Sequence, residues 1–175
     1  MELTDGRVVL RRPTEHDAPS VHAACQDPEI PRWIPVIPQP YTEESARDFV
    51  TWSDDSWDRG SYSFVIVDSG SGDLLGAIGM GVNEASKIGH IGYWVAAPAR
   101  RRGVASGALR LLAGWALEND FGRVELVTDP DNVASQGVAE KVGFRREALL
   151  RSHILHRDGR RRDSVMFSLL PGELA

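Results

Sequence analysis

The plainest chemical potential in this sequence lies in Arg100-Arg101-Arg102-Gly103-Val104-Ala105. The run follows strand-like Ile91-Gly92-Tyr93-Trp94-Val95 and a turn from Ala96 to Ala99 that contains Pro98. It opens a segment in which Val104, Ala108, Leu111, Leu112 and Trp115 recur at the spacing of one helix face. The order strand, turn, glycine, helix exposes the first N–H groups of a helix, which have no internal partner and sit at the positive dipole end. Gly103 and Ala105 carry little or no side chain, so a phosphate could approach those N–H groups. A charged start to a surface helix would carry the same residues. The spacing matches neither Gly-x-x-x-x-Gly-Lys-Ser/Thr nor Gly-x-Gly-x-x-Gly.

The elements that must position this run follow from pattern and punctuation. Leu3 to Arg11 reads as strand material broken at Asp5-Gly6. Thr14 and Asp17 open a short helix reaching about Cys25. Pro28, Pro31, Pro35, Pro38 and Pro40 predict irregular structure through the next segment. Its Trp33, Ile34 and Ile37 make it either a plain connector or one wall of a pocket. Thr42 caps a helix with Ala46, Phe49, Val50, Ser53 and Trp57 on one face, ended by Gly60. Trp52 and Trp57 are expected to pack rather than to cage a ligand.

Ser63 to Val67 and Leu74 to Val82 are antiparallel strands, followed by the strand Ile88 to Val95. After the central helix come the strand Val124 to Thr128, a turn over Asp129 to Asn132 that caps the helix Val133 to Val142, and Gly143 as its stop. Ser152 to His156 and Ser164 to Leu170 read as a hairpin about Asp158-Gly159. Hairpins require antiparallel pairs, and the strand–helix–strand from Ile88 to Thr128 requires a parallel one. The expected fold is therefore a single mixed, mostly antiparallel sheet with helices packed on both faces, occupying residues 1–175 as one domain.

Composition narrows the function classes. The 175 residues carry 26% charged and 42% hydrophobic side chains, an ordinary globular balance. A net charge of −5 counts against nucleic acid as a partner. No apolar run is long enough for a membrane span, and no secretory leader is read at the start. Cys25 is the single cysteine, which suits a cytoplasmic setting and leaves neither a disulfide nor a cysteine metal site. No His, Asp or Glu group has metal-ligand spacing, so no metal is expected.

Arg100-x-x-Gly103-x-Ala105 resembles the acyl-CoA signature of the GNAT superfamily of N-acetyltransferases, Arg/Gln-x-x-Gly-x-Gly/Ala. Asn132-x-x-Ser135 followed by Lys141-x-Gly143-Phe144 resembles the run of the branch typified by ribosomal-protein N-terminal acetyltransferases of the Rim type. With Gly92-Tyr93-Trp94-Val95, the resemblance spans about half of the chain. It implies a fold in which the strands around the crossover splay and acyl-CoA enters the gap. It implies that acetyl-CoA is the acyl donor, its pyrophosphate on the N–H groups of about Arg101 to Ala105, so that Arg100, Arg101, Arg102, Gly103, Val104 and Ala105 form the cofactor site. It sets the acetyl carbonyl against an N–H near Val95, the pantetheine arm along Trp94 and Val95, and Asn132 as a hydrogen-bonding partner or simply a helix cap. Lys141 is expected to be a solvated helix residue.

Acyl transfer to an amine needs a base for the ammonium proton and a donor for the departing thiolate. Sequences of this kind often carry Glu two residues before the Gly-Tyr-Trp run, where this chain has His90. A neutral imidazole is a suitable base, though a solvent-exposed strand histidine would read the same. Glu84 on the preceding loop, or a water relay, is the alternative. Ser135, in the first turn after Asn132, is the candidate thiolate donor; a capping role is its alternative. His153 and His156 are assigned to the hairpin surface, and His16 and His22 have no role. The acceptor is a protein N-terminus or a small amine such as a polyamine or aminoglycoside. A non-catalytic acyl-CoA-binding domain is the reading from another class. Apolar loops leave a homodimer open.

Overall fold

In the computed structural model, which describes residues 1–175, the N-terminal strand material is a hairpin of β1 (Leu3–Thr4) and β2 (Val8–Arg11). A short 3-10 turn over Glu15–Asp17 leads into α1 (Ala18–Ala24). The proline-dense segment corrects the sequence reading, because it contains a helix, α2 (Glu29–Trp33). Pro28 is the N-cap of α2, and Pro31 lies in its first turn, where N–H groups have no helical partner, so neither proline sacrifices a hydrogen bond. From Pro35 to Pro40 the chain is irregular, as expected.

α3 (Glu43–Asp58) starts at Thr42, whose hydroxyl accepts from the Ser45 N–H at 3.1 Å. Trp57 packs edge-on against Phe64 and Tyr62, while Trp52 projects outward, 56% exposed. Then follow β3 (Tyr62–Asp68), β4 (Leu74–Asn83), β5 (Ile88–Val95), α4 (Val104–Glu118), β6 (Arg123–Thr128), α5 (Val133–Val142), β7 (Arg145–Leu155) and β8 (Arg161–Leu169). β7 is much longer than the Ser152–His156 strand read from the sequence. Irregularities at Arg146/Ala148 and Leu150/Ile154 shift its register, and so break the alternation that would have announced it.

All the strands join one eight-stranded sheet in the order β1-β2-β3-β4-β5-β6-β8-β7. The pair β5–β6 is parallel and the others are antiparallel. Side-chain alternation along β5 divides two apolar clusters. Ile91 and Tyr93 belong with α4, Ile78, Met80 and Leu126, whereas Trp94 joins Val21 of α1 and Ala46 and Val50 of α3. Helices therefore cover both faces. Leu109 and Leu112 of α4 are fully buried, each contributing roughly 1.5–3 kcal/mol relative to exposure. That burial fixes α4 on the sheet and holds its N-terminus beside the end of β5. No helix is long and apolar enough to cross a membrane.

Candidate active site

β5 and β6 pair through Ile88↔Arg123, Gly89↔Val124 and His90↔Glu125, and there the pairing stops. β5 stays with β4 as far as Val95↔Gly76, and β6 stays with β8 as far as Thr128↔Val165. The two central strands therefore part beyond His90. The Ala96 N–H donates to the Leu75 carbonyl at 2.9 Å. By alternation the amides of Ile91, Tyr93 and Val95 face away from β4, into the gap. Gly76 sits opposite Val95, and a Cβ there would lie 2.2 Å from the Trp94 carbonyl oxygen, so only glycine allows this approach. An extended chain entering the gap would meet backbone groups spaced to pair with it.

The arginine run forms the turn at the mouth of the gap. Arg101 has φ +62° and Gly103, the N-cap of α4, has φ +81°. The left-handed conformation at Gly103 explains the glycine, because a side chain is disfavoured there by roughly 1–2 kcal/mol. The first α4 carbonyl bond is Gly107 N–H to Gly103 C=O at 2.9 Å. The N–H groups from Gly103 to Ser106 have no acceptor within the chain, the arrangement that an anion completes. Arg101 and Arg102 are exposed and enter no ion pair. Arg100 differs from them. Its Nε donates to the Val95 carbonyl at 3.0 Å and its Nη2 lies 2.5 Å from Asp27 Oδ2, tying the turn to the end of β5 and to the segment before α2.

On the α5 side of the gap, Asn132 Oδ1 accepts from the Ser135 N–H at 3.1 Å and caps α5. The Ser135 hydroxyl lies 3.0 Å from the Tyr93 hydroxyl. Burial raises the Tyr93 phenol above its ordinary pKa, and the Ser135 contact opposes that rise in part. Serine and cap thus meet β5 at the residue just before Trp94. Lys141 is exposed on the same helix, as expected.

On the opposite face, His90 Nδ1 is 3.1 Å from Glu125 Oε2, at the point where the strands part. Glu125 is 7% exposed, and its other oxygen accepts from Arg123 Nε at 2.5 Å. Sequence reading missed Glu125, although a carboxylate inside the apolar strand Val124 to Val127 is a signal, since buried charges occur paired. It missed Tyr93 as the partner of Ser135 as well. Glu84 is not brought to this group. It is held in the β4–β5 turn by Lys87 Nζ at 2.5 Å and is 60% exposed. His153 Nδ1 contacts the Ser164 hydroxyl at 3.1 Å.

At the carboxyl end of β6, an open cleft of about 530 Å³ is lined by Arg32, Asp129, Asp131, Arg161, Arg162 and Asp163. The hairpin between β7 and β8 reaches over toward it. Arg157 Nε donates to the Pro35 carbonyl at 2.8 Å, and its Nη2 donates to the Ile37 carbonyl. The proline-rich segment and this hairpin are thus joined at the rim of the open sheet.

A mixed sheet parted at its one parallel pair, with free helix N–H groups at the mouth, defines an N-acetyltransferase of the split-sheet class. The chain belongs to the GNAT acetyltransferase family: residues 7–145 match the model of the acetyltransferase (GNAT) domain. N-acetyltransferase p20 of Bacillus licheniformis is 28% identical over 173 residues, covering 97% of this chain and 96% of the relative. YdaF of Bacillus subtilis, provisionally named as a ribosomal N-acetyltransferase, is 26% identical over 147 residues, 81% of this chain and 78% of the relative. Mycobacterium smegmatis RimJ, solved in complex with a CoA disulfide, superposes with a TM-score of 0.87 at 25% identity, covering 99% of this chain and 88% of that one.

Proposed function

We propose that the protein moves an acetyl group from acetyl-CoA to a primary amine, the N-terminus of a protein, by direct attack within a ternary complex. The observation that carries this reading is the parting of β5 and β6 directly beside the unpartnered N–H groups that open α4. Those groups, with Arg101 and Arg102 beside them, suit the pyrophosphate, and the free edge of β5 suits the pantetheine arm. When bound, acetyl-CoA supplies an activated thioester. The Val95 N–H donates to the carbonyl oxygen where negative charge develops. His90 accepts a proton from the acceptor ammonium, the freed amine attacks the thioester carbon, and the Ser135 hydroxyl hydrogen-bonds the sulfur as the carbon–sulfur bond breaks. Arg100 holds the turn in place through Val95 and Asp27. The charged cleft at the end of β6, with groups of both signs, suits the polar chain that follows an N-terminus, and the provisional name of YdaF agrees.

The test is thiol release from acetyl-CoA over N-terminal peptides, polyamines and aminoglycosides. Peptides are expected to give kcat/KM at least about tenfold above the small amines, a difference of ~1.4 kcal/mol in transition-state stabilisation. Turnover confined to small amines would reassign the acceptor. Acetyl-CoA binding with no turnover of any amine would leave a non-catalytic binding domain.

The cofactor assignment has its own prediction. Gly103→Glu sets a carboxylate against the pyrophosphate position and is expected to weaken acetyl-CoA binding at least about tenfold, ~1.4 kcal/mol. Gly103→Ala shares the strain at φ +81° but adds no charge, and should lose less affinity. Calorimetric titration of both folded variants decides it, and equal affinity for Gly103→Glu and wild type would remove this site.

A further inference from the structure

We infer that Glu125 is a positioning residue that fixes the tautomer of His90, and that Arg123, Glu147 and Ser168 hold Glu125 in place for that task. The inference rests on the reading of His90 as the base. Its ground is a chain of close polar contacts leading from the strand parting along β6 and across to β7 and β8. His90 Nδ1 is 3.1 Å from Glu125 Oε2. Glu125 Oε1 accepts from Arg123 Nε at 2.5 Å. Arg123 then grips Glu147 with both terminal nitrogens, at 3.0 Å and 2.5 Å. The Ser168 hydroxyl, 1% exposed, donates to Glu147 Oε1 at 2.6 Å. The Arg123 guanidinium, with help from Ser168, lowers the Glu147 carboxyl to about 2. The two carboxylates, Glu147 first and Glu125 next, raise Arg123 above its ordinary range.

The consequence for His90 follows from donor and acceptor arithmetic. Both oxygens of an ionised Glu125 can only accept. One is occupied by Arg123, and a ring lone pair held 3.1 Å from the other would be repelled by it, which favours the proton on His90 Nδ1. The neutral ring must then carry its lone pair on Nε2, the nitrogen directed away from Glu125. Proton uptake at Nε2 produces an imidazolium whose Nδ1–H already meets a carboxylate. The His90 side chain is 56% exposed while that of Glu125 is 9% exposed. The imidazole is thus open to solvent while the orienting carboxylate stays inside. A histidine that merely decorated a strand would need no buried carboxylate braced by a guanidinium and a second carboxylate.

Glu125→Gln gives the sharp test. Arg123 Nε still needs an acceptor, so the amide oxygen stays toward Arg123 and the amide nitrogen turns to His90. That nitrogen can only donate, which inverts the ring: Nδ1 becomes the acceptor and Nε2 carries the proton. Nitrogen NMR of the ring, assigned with His90→Ala, should show the Nδ1–H form in the wild type and the Nε2–H form in the variant. The value of kcat should fall on the order of 10²-fold with acetyl-CoA KM within about twofold. A wild-type neutral ring protonated on Nε2 overturns the inference with no variant needed, should Glu125→Gln fail to fold. A folded Glu125→Gln with unchanged tautomer overturns it equally. If His90→Ala keeps wild-type kcat, the base reading fails on its own, and the NMR comparison still decides whether Glu125 orients the ring.

Discussion

His90→Ala is expected to lower kcat on the order of 10² or more while leaving acetyl-CoA affinity unchanged. The side chain lies where β5 leaves β6, on the face opposite Ile91 and Tyr93, and its polar contact is with Glu125. Its loss therefore removes a proton acceptor and not a cofactor contact. Because His90 is 56% exposed, its truncation should cost little stability, and the melting temperature serves as the control. Exogenous imidazole should restore part of the rate, since the vacated volume opens to solvent and Glu125 remains to receive the ring. Glu84→Gln run alongside separates the two candidate bases. Glu84 is paired with Lys87 in the β4–β5 turn, so that variant should retain wild-type turnover. The reverse result, a silent His90→Ala and an impaired Glu84→Gln, would move the base to the turn.

The separate legibility of these two candidates shows where sequence reading ends. His90 and Glu84 are six positions apart in the same hairpin, and nothing in their spacing says which of them meets a buried carboxylate. Glu125 enters only through the parallel register His90↔Glu125, a contact between residues 35 positions apart that no local period encodes. The helix start at Gly103 was legible because glycine in a left-handed N-cap is a local requirement, and the cap of α5 at Asn132 was legible for a similar reason. The same local logic misread Glu29–Trp33, where prolines placed at the N-cap and in the first turn permit a helix. It also missed most of β7, where register shifts conceal the period of two. The gap itself lay beyond pattern reading, since it exists as three paired positions followed by none. The resemblance implied it, and the register shows it.

Ser135→Ala is expected to lower kcat on the order of 10² with acetyl-CoA affinity held, because a hydrogen bond to sulfur strengthens only as charge appears there. The local geometry removes the main competing explanation. The cap of α5 uses the backbone N–H of Ser135, accepted by Asn132 Oδ1 at 3.1 Å, and alanine keeps that N–H. Loss of the cap belongs instead to Asn132→Ala, which should cost about 1 kcal/mol of stability. What alanine removes is the hydroxyl 3.0 Å from Tyr93, a contact worth about 1 kcal/mol by itself. Tyr93→Phe deletes the same contact from the other end and leaves the serine hydroxyl in place. If the hydroxyl acts on the departing thiolate, Ser135→Ala should be far slower than Tyr93→Phe at similar melting temperatures. The deficit should shrink with an acyl donor whose leaving thiol is more acidic, since that thiolate needs less help. Equal and small rate losses in both variants, with lowered melting temperatures, would reduce the pair to a structural contact and leave the sulfur without a donor from α5.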